Sequence, residues 1–575
     1  MRLLRRFLFA ALALALLAGA ALALWLPRYV ASPQFDARLR AAASSAIGRE
    51  VGWRALSVGL IPPRVIASDA HVGAGDTPAL QAERVELRLA LLPLLSRTLL
   101  ADSLALDGLS LQLVRGAAGI EWGEPVAVPA AAPAAASREH RSEGSRLALA
   151  VRSLRIASAR IAFTDRTVAP PASIGLTDVA ATARSTGPGA PVDLELAAHV
   201  SAGGELRGAG QLQPSGPLDL TVTLEGVGLA PFAPWLGHSL RLGGSASGQL
   251  RARGPWRTPD QLDAELHFGD ADLQVGEVGV RGPVDARAML VHEQGSFSID
   301  ATRAELVYGG AFRKPPGAPA TADGRLAPQP DGRLGVEAVK LSIKNMDGQG
   351  SLAPGTRLRI ALEDPAWLDA DLEGLLARPE APLGGARGRL AFATGRGRFP
   401  GVSPLQLAFA SLGRVGVAAQ ALAAGHRKLE PFEGDRFDSL SGSFRIADGR
   451  AHTDDFALRY PGYGLGLRGS LGLVDQSLDL AGSLSLSESV RAALGSGGSG
   501  GPSVLPLARV GGTVSNPKFE IEPAAALALA SDLALGTRRG KLERKLDGRL
   551  GEGSGKQLLD ALGGFLQRSG SKGGP

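Results

Sequence analysis

The sequence predicts a mainly β protein, because three features of its 575 residues agree. Apolar and polar residues alternate with a period of two through most of the chain, as in half-buried strands. The 77 glycines and 38 prolines recur between these stretches as turns, and a hydrophobic content of 45% is too high for a disordered chain. Helical periodicity is confined to the two ends. We therefore expect an antiparallel sheet of about 25 strands, which at ~4.8 Å per strand extends roughly 120 Å.

The N-terminus predicts a membrane anchor. Three arginines lie within the first six residues, and residues 7–26 are uncharged. Twenty apolar residues cross a bilayer core, and Trp25 and Tyr29 stand where interfacial aromatic residues are expected. A cleaved secretory signal is the alternative, since residues 18–20 read Ala-Gly-Ala. The anchor residues are Phe7, Leu12, Leu16, Leu22 and Leu26. Because the arginines precede the span, the N-terminus is expected in the cytoplasm and the rest across the membrane.

The exported body begins with a short amphipathic helix at residues 35–47, which either caps the first strands or lies on a membrane surface. Strands follow, such as VELRLALL from Val85 and LDLTVTLEG from Leu218. The leucines and valines of one parity are expected to share one apolar face: Val85, Leu87, Leu89, Leu220, Val222, Leu465, Leu467, Leu471, Leu473, Leu478 and Leu480. Such a face needs a second layer, yet the body has few amphipathic helices. Either the sheet closes on itself as a sandwich or barrel, or a ligand covers it.

A glycine-rich stretch at residues 462–480 contains a formal dinucleotide-binding fingerprint, G-x-G-x-x-G, beginning at Gly464. That motif requires a helix after its last glycine. Here the alternation continues as a strand, and leucines of one parity are followed by Leu478 and Leu480 after a turn at residues 475–476. The sequence therefore predicts a β-hairpin with leucines on one face and small residues on the other.

Composition changes divide the chain into segments. Low-complexity Pro, Ala, Gly and Ser stretches predict loops or linkers at residues 125–145, 313–333 and 495–502. The expected segments are an anchor at 1–31, an N-terminal β region at 32–124, a central repetitive β region at 146–430, a C-terminal β region at 431–522, and a basic helical tail at 523–575.

Several functional classes are disfavoured. The absence of cysteine removes disulfides and thiolate chemistry, and the eight histidines show no metal-ligand spacing. The basic excess lies at the two ends rather than along the body, which argues against a nucleic-acid surface. Ser499 matches a nucleophile motif but stands in a Gly/Ser linker, and the carboxylate pairs at 270/272 and 369/371 have no third partner. We expect no enzyme activity, metal or cofactor.

Both ends of the chain carry a family resemblance. The C-terminal β region contains these elements in order: Asp448-Gly449, Gly464 with Gly466, Leu478-Asp479-Leu480, and Gly512-Thr513 with Pro517. The N-terminal part has the anchor, the segment IGREVGW ending at Trp53, and the leucine-rich stretch 85–115. These features resemble the AsmA family of Gram-negative bacteria. Residues 150–430 are similar to the family only in their general pattern of strands and turns.

The resemblance implies a fold and a function. It implies an inner-membrane anchor and a periplasmic body folded as an elongated, curled antiparallel sheet, shaped like a taco around a hydrophobic groove, with short helices at both ends. It also implies a role in outer-membrane biogenesis, with membrane phospholipids as the cargo of the groove. Two alternatives remain, namely a scaffold or regulator of outer-membrane protein assembly, which binds envelope proteins without transport, and an exported envelope hydrolase.

Overall fold

The computed structural model describes residues 32–60, 63–73, 78–90, 100–116, 119–122, 150–187, 189–213, 216–236, 240–255, 259–292, 294–329, 334–351, 359–376, 382–401, 434–493, 504–514 and 516–520. None of the helices in these ranges is long and apolar enough to span a membrane. The predicted anchor residues Phe7, Leu12, Leu16, Leu22 and Leu26 lie outside these ranges, as do the predicted loops at 125–145 and 495–502 and the predicted tail. The chain divides into two compact units, Met1–Gly295 and Ser296–Pro575.

The helices within the described ranges are short. They are α1 (Pro33–Ile47), α2 (Ala233–Leu236), α3 (Pro382–Gly385) and α4 (Glu488–Ala493), with a 3-10 turn at Ala230–Phe232. Ser32 caps α1 by accepting a hydrogen bond from the Phe35 N–H, and the left-handed Gly48 ends it. The Trp53 indole N–H donates to Asp36 at 2.6 Å, and the Arg40 guanidinium lies over the Trp53 ring. These contacts fix α1 against the first strands, which favours the capping role.

The described residues of unit 1 lie mostly in strands. They are β1 (Val51–Gly52), β2 (Ala55–Leu60), β3 (Pro63–Val72), β4 (Leu80–Leu89), β5 (Leu100–Asp107), β6 (Ser110–Gly116), β7 (Gly119–Trp122), β8 (Ala150–Asp165), β9 (Ala172–Ser185), β10 (Val192–Val200), β11 (Glu205–Leu212), β12 (Pro217–Gly228), β13 (Leu240–Gly243), β14 (Ser245–Pro255), β15 (Gln261–Val275) and β16 (Val278–Val291). The mainly β prediction is confirmed.

Twelve strands of unit 1 pair in the order β2-β3-β4-β5-β8-β9-β10-β11-β12-β14-β15-β16. Every step in this order is antiparallel except β5–β8, where the two strands run parallel. The strand β8 also pairs in parallel with β6. A parallel step needs a connection of a dozen or more residues. The 27 residues between Trp122 and Ala150 provide that length.

A row of β-bulges crosses unit 1 from strand to strand. The register shifts at residues 156–161 of β8, 197–199 of β10, 224–227 of β12 and 268–271 of β15. A bulge bends its strand. Small apolar side chains at the row are buried, and we call them the crease: Ala82, Ala159, Val179, Ala198, Val227, Ala246 and Ala271. Because these buried side chains share the apolar face, that face lies on the inside of the bend.

A segment at residues 229–236, the strap, closes one side of the crease. It follows β12 and contacts β9 and β13. The Trp235 ring stacks on Phe163, and its N–H donates to the buried Asp165 carboxylate at 2.8 Å. The Thr167 hydroxyl, followed by Trp235, holds the pKa of Asp165 below its usual value. The strap therefore covers the side of the crease nearer Asp165.

Unit 2 has a similar composition of elements. Its strands are β17 (Gln294–Asp300), which begins two residues before the unit, β18 (Glu305–Tyr308), β19 (Phe312–Lys314), β20 (Ala320–Pro328), β21 (Leu334–Ser351), β22 (Arg359–Leu362), β23 (Ala366–Glu373), β24 (Arg387–Thr394), β25 (Gly397–Arg398), β26 (Arg436–Phe437), β27 (Ser439–Ala447), β28 (Arg450–Tyr460), β29 (Tyr463–Gly472), β30 (Leu478–Leu486), β31 (Val504–Thr513) and β32 (Asn516–Glu520). Ten of them pair in the order β20-β21-β23-β24-β27-β28-β29-β30-β31-β32.

A second, small sheet covers one end of unit 2. The end of β21 pairs with β22, β22 with β25, and β25 with β26. Ile360 and Phe437 from these strands pack on Leu440, Leu458 and Leu484 of the large sheet. At the other end of the strands, Ala386, Ile446 and Ala451 form a separate buried cluster. Unit 2 is therefore covered at both strand ends.

The prediction of a loop at residues 313–333 is wrong. The strand Phe312–Lys314 extends into this segment, and Ala320–Pro328 forms a nine-residue strand within it. Ala320, Ala322 and Gly324 of β20 stand opposite Ile343, Leu341 and Val339 of β21. Their small side chains make the alternation hard to see in the sequence, but the larger partners across the pair supply the apolar surface.

Candidate functional site

The register places one aliphatic face across unit 1. Consecutive cross-strand partners, from β4 to β5 and β8, are Leu87, Leu104 and Leu154. From β10 onward a second row reads Leu194, Gly210, Leu220, Ala252, Leu262 and Leu290. A third row reads Leu196, Gly208, Val222, Leu250, Ala264 and Ala288. Every position of these rows is apolar, although the strands are separate in sequence.

The opposite face of unit 1 is charged. Arg251 pairs with Asp219 across strands at 2.9 Å, and Arg287 pairs with Glu265 at 2.7 Å. These side chains are exposed, so each ion pair adds little stability. They show that solvent, rather than a second protein layer, covers this face. The two faces of unit 1 thus differ completely in polarity.

The apolar face is incompletely covered on the side of the crease away from Asp165. Leu194, Leu220 and Val222 are half-buried, and Leu250 and Leu262 are 37% and 40% exposed. Twelve strands at ~4.8 Å spacing and about six residues at ~3.3 Å give a face of roughly 1,000 Å². Among the described residues of unit 1, no second protein layer fully covers this apolar face.

The five predicted lining residues of unit 1 all fall on or beside this face. Leu87 lies opposite Val65 and Leu104, Leu220 opposite Ala252, and Val222 opposite Leu250. Val85 packs near the crease, while Leu89 stands at a register shift and pairs with Ala101. All five are half-buried.

In unit 2 the hairpin predicted at residues 462–480 is present. Tyr463–Gly472 pairs antiparallel with Leu478–Leu486, and Leu471 stands opposite Leu478. Gln476, in the predicted turn, has a left-handed φ of 55°. The dinucleotide-loop alternative is thereby excluded, because no helix follows Gly469.

The six predicted lining residues of this hairpin share one face but differ in their cover. Leu465 packs against the buried cluster under the small sheet. Leu471 and Leu473 pack against the cluster at the other strand end. Leu467, Leu478 and Leu480 are half-buried on the same face, with Leu467 opposite Phe456 and Leu480 opposite Val510. Three of the six therefore contribute to closed cores.

The acidic pairs considered for catalysis have local structural partners. Asp270 accepts hydrogen bonds from the Ser245 hydroxyl and N–H at 2.8 Å, which lower its pKa. Asp272 pairs with Arg281. Asp369 accepts from Lys344 and Ser342, and Lys344 is the main cause of its lowered pKa. Among the described residues no group of three His, Asp or Glu side chains is placed to hold a metal. Ser499 lies outside the described residues.

One group of polar side chains was not predicted from the sequence. Ser247, His267 and Asp285 are consecutive cross-strand partners on the charged face, and His267 Nδ1 lies 2.7 Å from Asp285. The Ser247 hydroxyl, however, accepts the Gly226 N–H at 2.9 Å, and the histidine is about half exposed. Acyl transfer also needs free N–H donors for an oxyanion, and the neighbouring N–H groups of this sheet are engaged in strand pairing. The row lacks the environment of a hydrolase site.

A search of protein-family models and of curated proteins finds no match to this chain.

Proposed function

We propose that the protein binds phospholipid acyl chains along its apolar faces and carries phospholipid between the inner and outer membranes of a Gram-negative envelope. The observation that carries the proposal is the unit 1 face, which is aliphatic across twelve strands and incompletely covered. The AsmA-like motifs and the predicted N-terminal anchor support the same function and a periplasmic location for the body.

An acyl chain is a physically suitable cover for this face. Burying a methylene contributes about 0.8 kcal/mol, so ten methylenes contribute roughly 8 kcal/mol before ordering costs. Alkyl chains have no hydrogen-bonding groups and need none from Leu220, Val222 or Leu262. The charged opposite face, with pairs such as Arg251–Asp219, keeps the outside of the same sheet in water. A lipid therefore covers one face, and its headgroup remains in solvent at the ends of the strands.

Site-specific photo-crosslinking in cells tests the proposal. The photoreactive p-benzoylphenylalanine replaces Leu220 in one variant and Thr221 in another, using the full chain. The two positions are adjacent on β12 but face opposite sides of the sheet. We expect a phospholipid adduct by mass spectrometry at Leu220 and a much weaker one at Thr221.

The other outcomes decide among the alternatives. Equal lipid adducts at both positions indicate nonspecific contact with lipid and contradict binding on one face of the sheet. Protein adducts without lipid at Leu220 favour the scaffold of outer-membrane protein assembly, which has no lipid cargo. Absence of both kinds of adduct indicates that the face is closed in the cell, and the lipid proposal is then abandoned.

A further inference from the structure

Three phenylalanines converge on the apolar face of unit 2. Phe392 of β24, Phe444 of β27 and Phe456 of β28 have ring centroids 6.1 to 6.5 Å apart in all three pairs. They meet over Gly442, where a Cβ would lie 3.2 Å from the Phe456 ring and 3.4 Å from the Phe444 ring. Glycine at this buried position therefore leaves the space that the rings fill. We call the three residues the phenylalanine cluster.

The phenylalanine cluster joins the two covered ends of unit 2. Phe392 and Phe456 pack against the core under the small sheet, whereas Phe444 packs against the cluster around Ile446 at the other strand end. Phe392 and Phe444 stack on each other with an interplanar angle of 16°. Side chains in contact thus extend along the strands from one end of the face to the other, over β24, β27 and β28.

Aliphatic stretches lie on both sides of this line of contact. On the β21–β23 side, Leu341 and Leu368 are half-buried. On the β29–β30 side, Leu467 and Leu480 are half-buried on the same face. The register makes the faces continuous, since Leu368 stands opposite Phe392 and Leu467 opposite Phe456. An acyl chain that moves across the strands of unit 2 must displace the phenylalanine rings.

We infer that the phenylalanine cluster is a gate, which divides the unit 2 face into two acyl-binding stretches and limits passage of lipid between them. The inference rests on the proposed lipid function and adds the residues that control it. Phenylalanine suits this role because its ring fills the path between the two cores yet turns about only two side-chain torsions. The three rings are half-buried, so rotation of a ring toward solvent opens the line without unfolding a fully enclosed core.

The experiment follows lipid from a donor bilayer into the full chain reconstituted in vesicles of phosphatidylethanolamine and phosphatidylglycerol. The probes are p-benzoylphenylalanine at Leu341 and, in a second variant, at Leu480. The measured quantity is the ratio of phospholipid adduct at Leu480 to that at Leu341 during a short illumination. Phe444→Ala is expected to change this ratio by at least about fivefold, the effect of roughly 1 kcal/mol on a barrier.

Two further variants separate gating from a general loss of structure. Phe232→Ala removes a half-buried phenylalanine from the strap of unit 1, outside the faces proposed to bind lipid, and is expected to leave the ratio unchanged. Phe444→Leu retains an aliphatic side chain and replaces Phe444→Ala if protease resistance shows that the alanine variant is unfolded.

The outcomes distinguish the gate from the lipid function. An unchanged ratio in both Phe444 variants, with adducts at Leu341 and Leu480, overturns the gate and leaves lipid binding intact. A Phe232→Ala effect as large as that of Phe444→Ala also overturns it, because the effect is then not specific to the cluster. If lipid adducts form at neither Leu341 nor Leu480, the proposed function itself is contradicted.

Discussion

Leu484 and Leu480 offer a direct measurement of where the unit 2 face is covered. Both lie on β30 and on the same face of the sheet, since they stand opposite Leu465 and Gly469. Leu484 is 2% exposed in the core under the small sheet, whereas Leu480 is half-buried. The same change, leucine to alanine, therefore probes an enclosed and an incompletely covered position of one strand.

The structure gives different magnitudes for the two substitutions. Leucine to alanine removes about three methylene equivalents, or roughly 2.4 kcal/mol of transfer free energy at full burial. At Leu484 a cavity term is added, so the free energy of unfolding is expected to fall by about 3 to 4 kcal/mol. At Leu480 most of the transfer term applies but no enclosed cavity forms, which gives about 2 kcal/mol.

Pulse proteolysis of the full chain in detergent, along a urea series, measures both effects. Cleavage sites identified by mass spectrometry assign each transition to unit 2. A difference of about 1.5 kcal/mol corresponds to a roughly tenfold difference in the ratio of unfolded to folded protein at a given urea concentration. Equal shifts for the two variants refute the reasoning, because Leu480 is then as enclosed as Leu484 and the face is a closed core.

Three further predictions concern polar contacts. The Arg396 guanidinium, which donates to the Asp364 carboxylate, lowers the pKa of Asp364 to about 2. The stability that Asp364 contributes is therefore complete above about pH 4 and is lost as pH falls through about 2. The difference in melting temperature between wild type and Asp364→Asn should shrink in that window. Lys314 is buried and donates to three backbone carbonyls, so Lys314→Met should lower the melting temperature more than Arg313→Met at the exposed neighbouring position. Trp235→Phe keeps an aromatic ring but removes the N–H that donates to Asp165. Backbone hydrogen exchange at residues 230–236 should then become faster. Unchanged exchange contradicts the role of this contact in holding the strap.

The sequence predicted the faces of the sheet because strand alternation is local. The side chains of Leu218, Leu220 and Val222 share a face whatever the partner strand is. The hairpin at residues 462–480 was predictable for the same reason, since its two strands and its turn are adjacent in the chain. Neither prediction required knowledge of long-range packing.

The crease was not predicted, although the sequence carries a signal for it. In β8 the apolar positions are Leu154 and Ile156, then Ala159 and Ile161, so the alternation shifts by one residue. A one-residue shift within a strand indicates a bulge. The left-handed residues at the row in β3, β8 and β9 are Asp69, Ser158 and Asp178, and left-handed glycines appear only farther along, at Gly226 of β12 and Gly282 of β16. Glycine therefore does not mark the bend in the first strands.

The aromatic core of unit 2 was beyond sequence reasoning for a different reason. Aromatic residues are only 5% of the chain, which favours packing by aliphatic and small residues. Folding nevertheless brings Phe312, Phe399 and Phe437 together with Tyr460 and Tyr463 from distant positions. No local pattern connects these residues, because their contact depends on the order of the strands and on the small sheet.

An incompletely covered face sets a condition on where the stability of this protein resides. Apolar surface that stays exposed in the folded state gains nothing relative to the unfolded chain, so each leucine in the open stretch around Leu220 and Leu250 contributes less than an enclosed one. The crease, the strap and the two covered ends of unit 2 must then offset the conformational entropy of many ordered strands. Alanine and valine occupy the crease because their small side chains allow the backbone to approach closely, while leucine occupies the open rows on either side. It also requires that a bound acyl chain stabilise the fold, because the chain buries the surface that the protein leaves open.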